Sequence, residues 1–275
     1  MTALARWTLD DIPWQQFDAG LVDPEILKIV KAASLVESNG LEYARYLEGV
    51  FRDDPDFQAA AWAWAREEVQ HGKALARWAR LADPAFDYEG AFALFADKIR
   101  LPVGREASVR GTRAGELIAR CMVEIGTSSY YSALGGAARE PVLREICGHI
   151  AADEVRHYKL FYTHLQDYLG RERIGPLRRF WIALARFFET EDDELAFAYY
   201  AANHAHDGPY HRKRHTAAYM RRAYGCYRPS HVERGVAMMM KAVGLKPHGR
   251  LGHWLGRFAT WFIESRHQRL ARAGA

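Results

Sequence analysis

Residues 151–161 read AADEVRHYKLF, and residues 66–75 read REEVQHGKAL. Each stretch sets a histidine three residues after a glutamate: Glu154 with His157, and Glu68 with His71. Residues three apart on a helix share a face, so each pair presents a carboxylate and an imidazole to one point. Ile150, Ala151, Tyr158 and Phe161 sit at helical spacing around Glu154, as do Ala61, Trp64, Ala65 and Leu75 around Glu68. Both glutamates are therefore expected to point inward with an apolar stripe. An unpaired buried carboxylate is costly enough that it takes a proton, a partner or a metal.

Two further helical stretches each offer one inward glutamate. Glu37 shares a face with Val30, Ala33, Leu41 and Ala44, and Glu124 with Leu117, Cys121, Thr127 and Tyr131. With 19 Glu and 12 His in the chain, about one E-x-x-H would arise by chance, so a single pair means little. The separations decide. Glu37 to Glu68 is 31 residues and Glu124 to Glu154 is 30. In antiparallel hairpins each ligand then lies roughly 17–25 Å from its turn, which brings all four glutamates to one layer. A third pair, Glu264 and His267, has no such counterpart and reads as a surface ion pair on an Arg-rich helix.

The organisation around these motifs is helical throughout. Pro24 after Asp23 starts a helix expected to run to about Phe51. DDPD (53–56) breaks it, with Asp54 or Asp56 as a cap, and a second helix runs to about Arg80. A loop at 82–90, a short helix to about Arg100 and a break at LPVG (101–104) lead to a third long helix over about 108–134. GG (135–136) and Pro141 mark a turn before a fourth helix to about Leu169. Two long helices, a long crossover and two more predict an all-α four-helix bundle over residues 24–170, within a single domain. Shorter amphipathic helices form an extension over 171–275.

Four carboxylates and two imidazoles in one buried layer would repel one another badly without cations. Two divalent metals cancel that charge, and hard oxygen plus imidazole donors suit iron or manganese better than zinc. The expected ligands are Glu37, Glu68, His71, Glu124, Glu154 and His157. Asp153, beside Glu154, is placed to accept the other N–H of a ligand histidine.

WAREEVQHGKAL (64–75) and ICGHIAADEVRHYKLFYTHLQDYL (146–169), with VESNGLEYARYL (36–47) more weakly, resemble the ferritin-like di-iron carboxylate proteins. Within that group the chain looks most like the soluble acyl-[acyl-carrier-protein] desaturases. The resemblance covers about residues 24–170. Its motifs are specific for the metal site but shared by hydroxylases, desaturases, rubrerythrins and bacterioferritins, and the chain is shorter than a desaturase. The resemblance implies a ferritin-like fold and two iron ions, or manganese. It also implies that Thr127, one turn after Glu124, lies by the oxygen site as a catalytic residue; the alternative is a core threonine bonding its own i−4 carbonyl.

About 100 residues beyond the bundle and the lack of any CxxC favour an oxygen-activating oxidase or oxygenase, a desaturase or hydroxylase of an apolar acyl-type substrate. The other reading is a ferroxidase or rubrerythrin-like protein that handles iron or peroxide. No flavin or nicotinamide motif is present, so electrons are expected from a separate reductase or ferredoxin. Trp64, Trp7 and Trp14 are candidates to relay them. Cys121 and Tyr131 are candidates to line a substrate cavity.

The 275 residues are 49% hydrophobic and 26% charged, as in globular chains with a sizeable core. No apolar run is long enough to span a bilayer, and the N-terminus lacks a signal-peptide core, so a cytoplasmic protein is expected. Three cysteines without metal spacing argue against a disulfide framework. A net charge of +4 is too low to favour nucleic acid. A basic block at Arg212, Lys213, Arg214, Arg221, Arg222 and Arg228 would complement an acidic partner, an acyl carrier protein or a ferredoxin. HAHDGPYHRKRH (204–215) reads as a solvated basic loop, or as the source of a seventh metal ligand. PLRRFWIALARFF (176–188) and RLGHWLGRFATWFIESRHQRLAR (250–272) mix arginine with aromatics at helical spacing. Such helices pack on the bundle or on the partner of a homodimer, or lie on an anionic membrane surface.

Overall fold

The computed structural model describes residues 6–189 and 193–273, and no strand occurs among them. The protein is all-α. The first part of the chain forms α1 (Pro24–Ser38), α2 (Gly40–Val50), α3 (Pro55–Ala82), α4 (Tyr88–Lys98), α5 (Arg113–Ala137) and α6 (Pro141–Glu172). Side chains start these helices as the sequence suggests. Asp23 accepts from Glu25 N and Ile26 N, and Asp54 from Phe57 N, each followed by proline. Glu140 caps α6 by accepting from Leu143 N. Each such cap satisfies donors that would otherwise be orphaned and contributes about 1 kcal/mol.

Two boundaries differ from expectation. The helix expected over 24–51 is interrupted at Asn39. Beside the break, Ser38 Oγ turns back on Ser34 O at 2.7 Å, a local bond that competes with regular helix. The chain there also lies against α3 with no room to spare. A Cβ on Gly40 would stand 2.7 Å from Glu68 Cβ, and one on Gly72 would stand 2.1 Å from Ser38 Oγ. The second difference is at α5, which begins at Arg113 rather than near 108. Gly111 adopts φ 81°, and Thr112 then caps by accepting from Gly115 N.

Side-chain pairs set the directions of the long helices. Phe51 meets Phe57, Gly40 meets Glu68, and Lys31 meets Asp83, so α1 and α2 run antiparallel to α3. Glu172 caps Arg113, Thr127 meets Glu154, and Gly135 meets Cys147, so α5 and α6 are antiparallel. Asp54 with Tyr168, Glu67 with His157 and Trp78 with Glu140 make α3 antiparallel to α6. Tyr46 with Glu116 and Tyr131 with Glu37 do the same for α5 against the first rod. The parallel diagonal pair, α3 and α5, is joined by the crossover containing α4.

The apolar interior falls into two clusters. One includes Ile29, Leu35, Leu75, Trp78, Leu134 and Ile150. The other includes Leu47, Phe57, Ala65, Leu117, Cys121 and Phe161. On each long rod the change from one cluster to the other falls at the predicted ligands: Glu37, Glu68 with His71, Glu124, and Glu154 with His157. Burying each large apolar side chain contributes roughly 1.5–3 kcal/mol, and those residues fix the height at which the polar layer sits.

The rest of the chain forms α7 (Pro176–Glu189), α8 (Asp193–Asn203), α9 (Arg212–Gly225), α10 (Pro229–Ala242) and α11 (Arg250–Ala273). Asn203 donates to Lys28 O, Gly235 lies on Ser129, and His267 Nδ1 donates to Arg221 O. Thus α8 rests on α1, α10 on α5, and α11 on α9. No helix of the described residues is long and apolar enough to cross a membrane.

Candidate metal centre

The six predicted ligands come together. Ligand atoms of Glu37, Glu68, His71 and Glu154 all lie within 4.8 Å of one another, and so do those of Glu68, Glu124, Glu154 and His157. Glu68 and Glu154 belong to both groups. Every member is buried, with His71 fully enclosed. His71 Nδ1 faces Glu154 Oε1 at 3.3 Å and Glu37 Oε2 at 3.7 Å. His157 Nδ1 faces Glu68 Oε1 at 3.0 Å and Glu124 Oε2 at 3.7 Å.

Four of these atoms are buried without any hydrogen-bond partner: Glu68 Oε1, Glu154 Oε1, His71 Nδ1 and His157 Nδ1. Orphaned buried donors and acceptors are rare, and each calls for an explanation. Here all four converge on the same interior. Neighbouring donors of one divalent ion, each ~2.1 Å from it, lie ~3–4 Å apart, the range spanned by the imidazole–carboxylate distances. The residues fit two cations, with Glu68 and Glu154 available to both.

The outer nitrogens of the histidines are held crosswise. His71 Nε2 lies 3.0 Å from Asp153 Oδ2, and His157 Nε2 lies 2.9 Å from Glu67 Oε2. The acid that precedes the glutamate of one motif thus serves the histidine of the other. Accepting the Nε2–H fixes the tautomer that leaves Nδ1 as the inward donor atom. Asp153 is buried beside His71. Glu67 was not foreseen; its only signal is that Glu67–Glu68 mirrors Asp153–Glu154. Arg156 bonds both acids, and Arg6 pairs with Glu67 at 3.0 Å.

Trp7 closes this side. Its Nε1 donates to Asp153 Oδ2 at 2.8 Å, and its ring stacks parallel to His71 at 6.0 Å. Trp64 meets the His157 ring edge-on at 6.4 Å. Trp14 instead donates to Leu9 O and stacks under Arg77, away from the layer. Cys121 lies in the apolar cluster, where burial pushes its thiol far above the ordinary range. Thr127 Oγ1 lies 2.5 Å from Glu154 Oε2 and 3.2 Å from both Val123 O and Glu124 O. The hydroxyl reaches the Glu154 carboxylate as well as its own i−4 carbonyl. Tyr131 donates to Glu37 Oε1 at 2.5 Å.

Arg120 was also missed. Its Nη2 donates to Glu124 Oε1 at 3.2 Å, and its guanidinium lies among Trp64, Tyr43 and Phe161 at 4.9–5.7 Å from their ring centres. It is 6% exposed, which is rare for an arginine. The signal was a cation at i−4 from Glu124 inside an apolar run.

Without cations the layer holds protons. Burial opposes charging of His71, but Asp153, Glu154, Glu37 and Glu68 outweigh it and hold the imidazole well above its ordinary range. His157 is likewise raised against burial by Glu154, Glu67 and Glu68. Burial, then the charge of Glu68, pushes Glu37 well up; burial, then Glu154, does the same to Glu124 despite Arg120. Glu68 and Glu154 lie below the ordinary range, because contacts to the two histidines outweigh burial. Cation binding must displace these protons.

Other sequence candidates lie elsewhere. Glu264 is exposed on α11 and, among the described residues, has no ion-pair partner, which corrects the expected surface pair. His204 bonds Asp207 and packs near His215 between α8 and α9, and neither belongs to the two ligand groups. In the basic block, Arg221 and Arg222 pair with Glu25 of α1, and Arg212 lies 3.7 Å from Asp193. No protein-family model matches the chain, and no curated protein matches it in sequence.

Proposed function

We propose that the chain is a ferritin-like di-iron (or di-manganese) oxidoreductase that activates oxygen to oxidise an apolar, acyl-type substrate by desaturation or hydroxylation. The proposal takes 24–170 as the metal-binding bundle and 171–275 as its helical extension in one domain. The observation that carries it is the pair of overlapping, buried ligand groups sharing Glu68 and Glu154.

Two bound redox-active ions supply the electron chemistry that oxygen activation needs. The chain's own residues do the rest. Asp153 and Glu67 orient the two imidazoles by accepting their outer N–H groups. The Thr127 hydroxyl is within reach of Glu154 Oε2 and of the Val123 and Glu124 carbonyls, so it can hold a proton toward the site or away from it. Tyr131 keeps a hydroxyl proton on Glu37 Oε1. Leu117, Cys121 and Phe161 wall one side with apolar surface, which excludes water from a reactive centre. Electrons come from a separate reductase or ferredoxin, with the Trp7–Asp153–His71 contact as one inward route. An acyl carrier protein is the proposed substrate carrier.

The test is oxygen uptake by reduced, iron-loaded protein with and without acyl substrates, with products read by mass spectrometry. Consumption coupled to an oxidised organic product is expected, and Thr127→Val should lower the product formed per oxygen while leaving metal content unchanged. Uptake that only tracks conversion of ferrous to ferric iron, whatever organic compound is present, would establish a ferroxidase instead.

A further inference from the structure

The C-terminal helix α11 has two apolar sides, and only one of them is used. Gly252, Gly256 and Ile263 face inward, with Gly256 lying on Glu233 of α10. On the outside Leu251, Trp254, Phe258 and Trp261 are 47–61% exposed. Trp254 stacks on Phe258 at 5.6 Å, and Phe258 lies 5.8 Å from Trp261, so the rings form one continuous stripe. Contiguous exposed apolar surface of this kind marks an interaction site.

The charges beside the stripe identify what covers it. Arg250, His253 and Arg257 are exposed along it, and neither arginine pairs with an acid among the described residues. Glu264, one turn past Trp261, is the only acid within α11, against Arg250, Arg257, Arg266, Arg269 and Arg272. A second copy docking through the same stripe would bring together two helices that each carry five arginines for one glutamate, because a two-fold interface uses the same patch on both copies. An anionic lipid surface has the opposite property. It accepts tryptophan and phenylalanine at the headgroup boundary and pairs the flanking arginines with phosphates.

We infer that the outer face of α11 docks the protein on an anionic bilayer surface, without spanning it. The inference does not depend on the metal chemistry, and its test reads binding rather than turnover. Full-length protein is sedimented with phosphatidylcholine vesicles, with or without about one third phosphatidylglycerol, at low and high salt. Binding is expected only to the anionic vesicles and mainly at low salt, with a blue shift of tryptophan emission. Trp254→Ala/Trp261→Ala and Arg250→Gln/Arg257→Gln should each weaken partitioning by at least about tenfold, while Arg212→Gln/Lys213→Gln leaves it unchanged. Circular dichroism checks that each variant keeps wild-type helicity, and the arginine pair tests the idea without touching the rings. The inference is overturned if wild type ignores anionic vesicles, if neutral vesicles bind it equally, or if the arginine pair binds as wild type. It is also overturned if light scattering finds a dimer that Trp254→Ala/Trp261→Ala dissociates while vesicles are ignored.

Discussion

The two halves of the buried layer use the same ligand types and differ in what lies behind them. Glu37 is backed by a neutral donor, the Tyr131 hydroxyl, and the Asp153 behind His71 takes Trp7 together with Arg156. Glu124 is backed by a cation, Arg120, and the Glu67 behind His157 takes Arg6 besides the Arg156 that it shares with Asp153. A guanidinium within about 5 Å of a divalent ion opposes its binding by an amount on the order of a few kcal/mol at an effective dielectric near 20. Glu116, buried one turn before Arg120, offsets part of it. One half should therefore hold an ion more tightly than the other. Glu68 and Glu154, common to both, couple the two.

The largest expected effect tests the sharing. Glu68→Ala or Glu154→Ala should remove nearly all bound metal, because each takes a donor from both ions. Glu37→Ala or Glu124→Ala should leave about one ion per chain, since each removes a donor from one side only. Elemental analysis after loading reads this directly, with Glu264→Ala as an unchanged control. Equal losses in all four glutamate variants would break the distinction between shared and terminal carboxylates.

The next effect concerns protons and applies to both halves. His71, His157, Glu37 and Glu124 have raised values in the metal-free fold. Stability from groups raised in this way is present below their unfolded-state values and is lost as pH rises through the folded ones. Metal-free protein should accordingly melt at lower temperature as pH rises from about 6 to about 8, and apparent metal affinity should rise over the same window. Glu68 and Glu154, which are lowered, act in the opposite sense only at acid pH. A metal-free melting temperature that climbs through this window would contradict the assignment.

The smallest effect sharpens the asymmetry. Arg120→Gln should tighten the weaker of two binding steps by roughly tenfold and leave the tighter step nearly unchanged. Stepwise titration with manganese, followed by calorimetry, separates the two steps. A variant that changes both equally would mean that Arg120 acts on the layer as a whole.

The convergence of the six side chains was legible in the sequence because two periodicities coincide there: helical spacing places Glu and His on one face, and near-equal hairpin separations place four glutamates at one height. Asp153 was legible for the same reason, as the neighbour of a ligand. Glu67 and Arg120 were not, because their partners lie across helix interfaces that spacing along one helix does not encode. The break at Asn39 was hidden too. It follows the close approach of Gly40 and Ser38 to α3, a tertiary demand on a stretch that is locally helical. In the C-terminal third the amphipathic pattern predicted helices but left open which face packs inward. Only the structure distinguishes Gly252, Gly256 and Ile263 from Trp254 and Trp261 on the same helix.

The central claim, a two-ion centre bridged by Glu68 and Glu154, is tested most directly by a crystal structure of the metal-loaded protein with anomalous scattering at the iron or manganese edge. The account predicts two peaks in the buried layer, one between Glu37 and His71 and the other between Glu124 and His157, with the Glu68 and Glu154 carboxylates in contact with both. A single peak, or metal only at surface histidines such as His204, would contradict it.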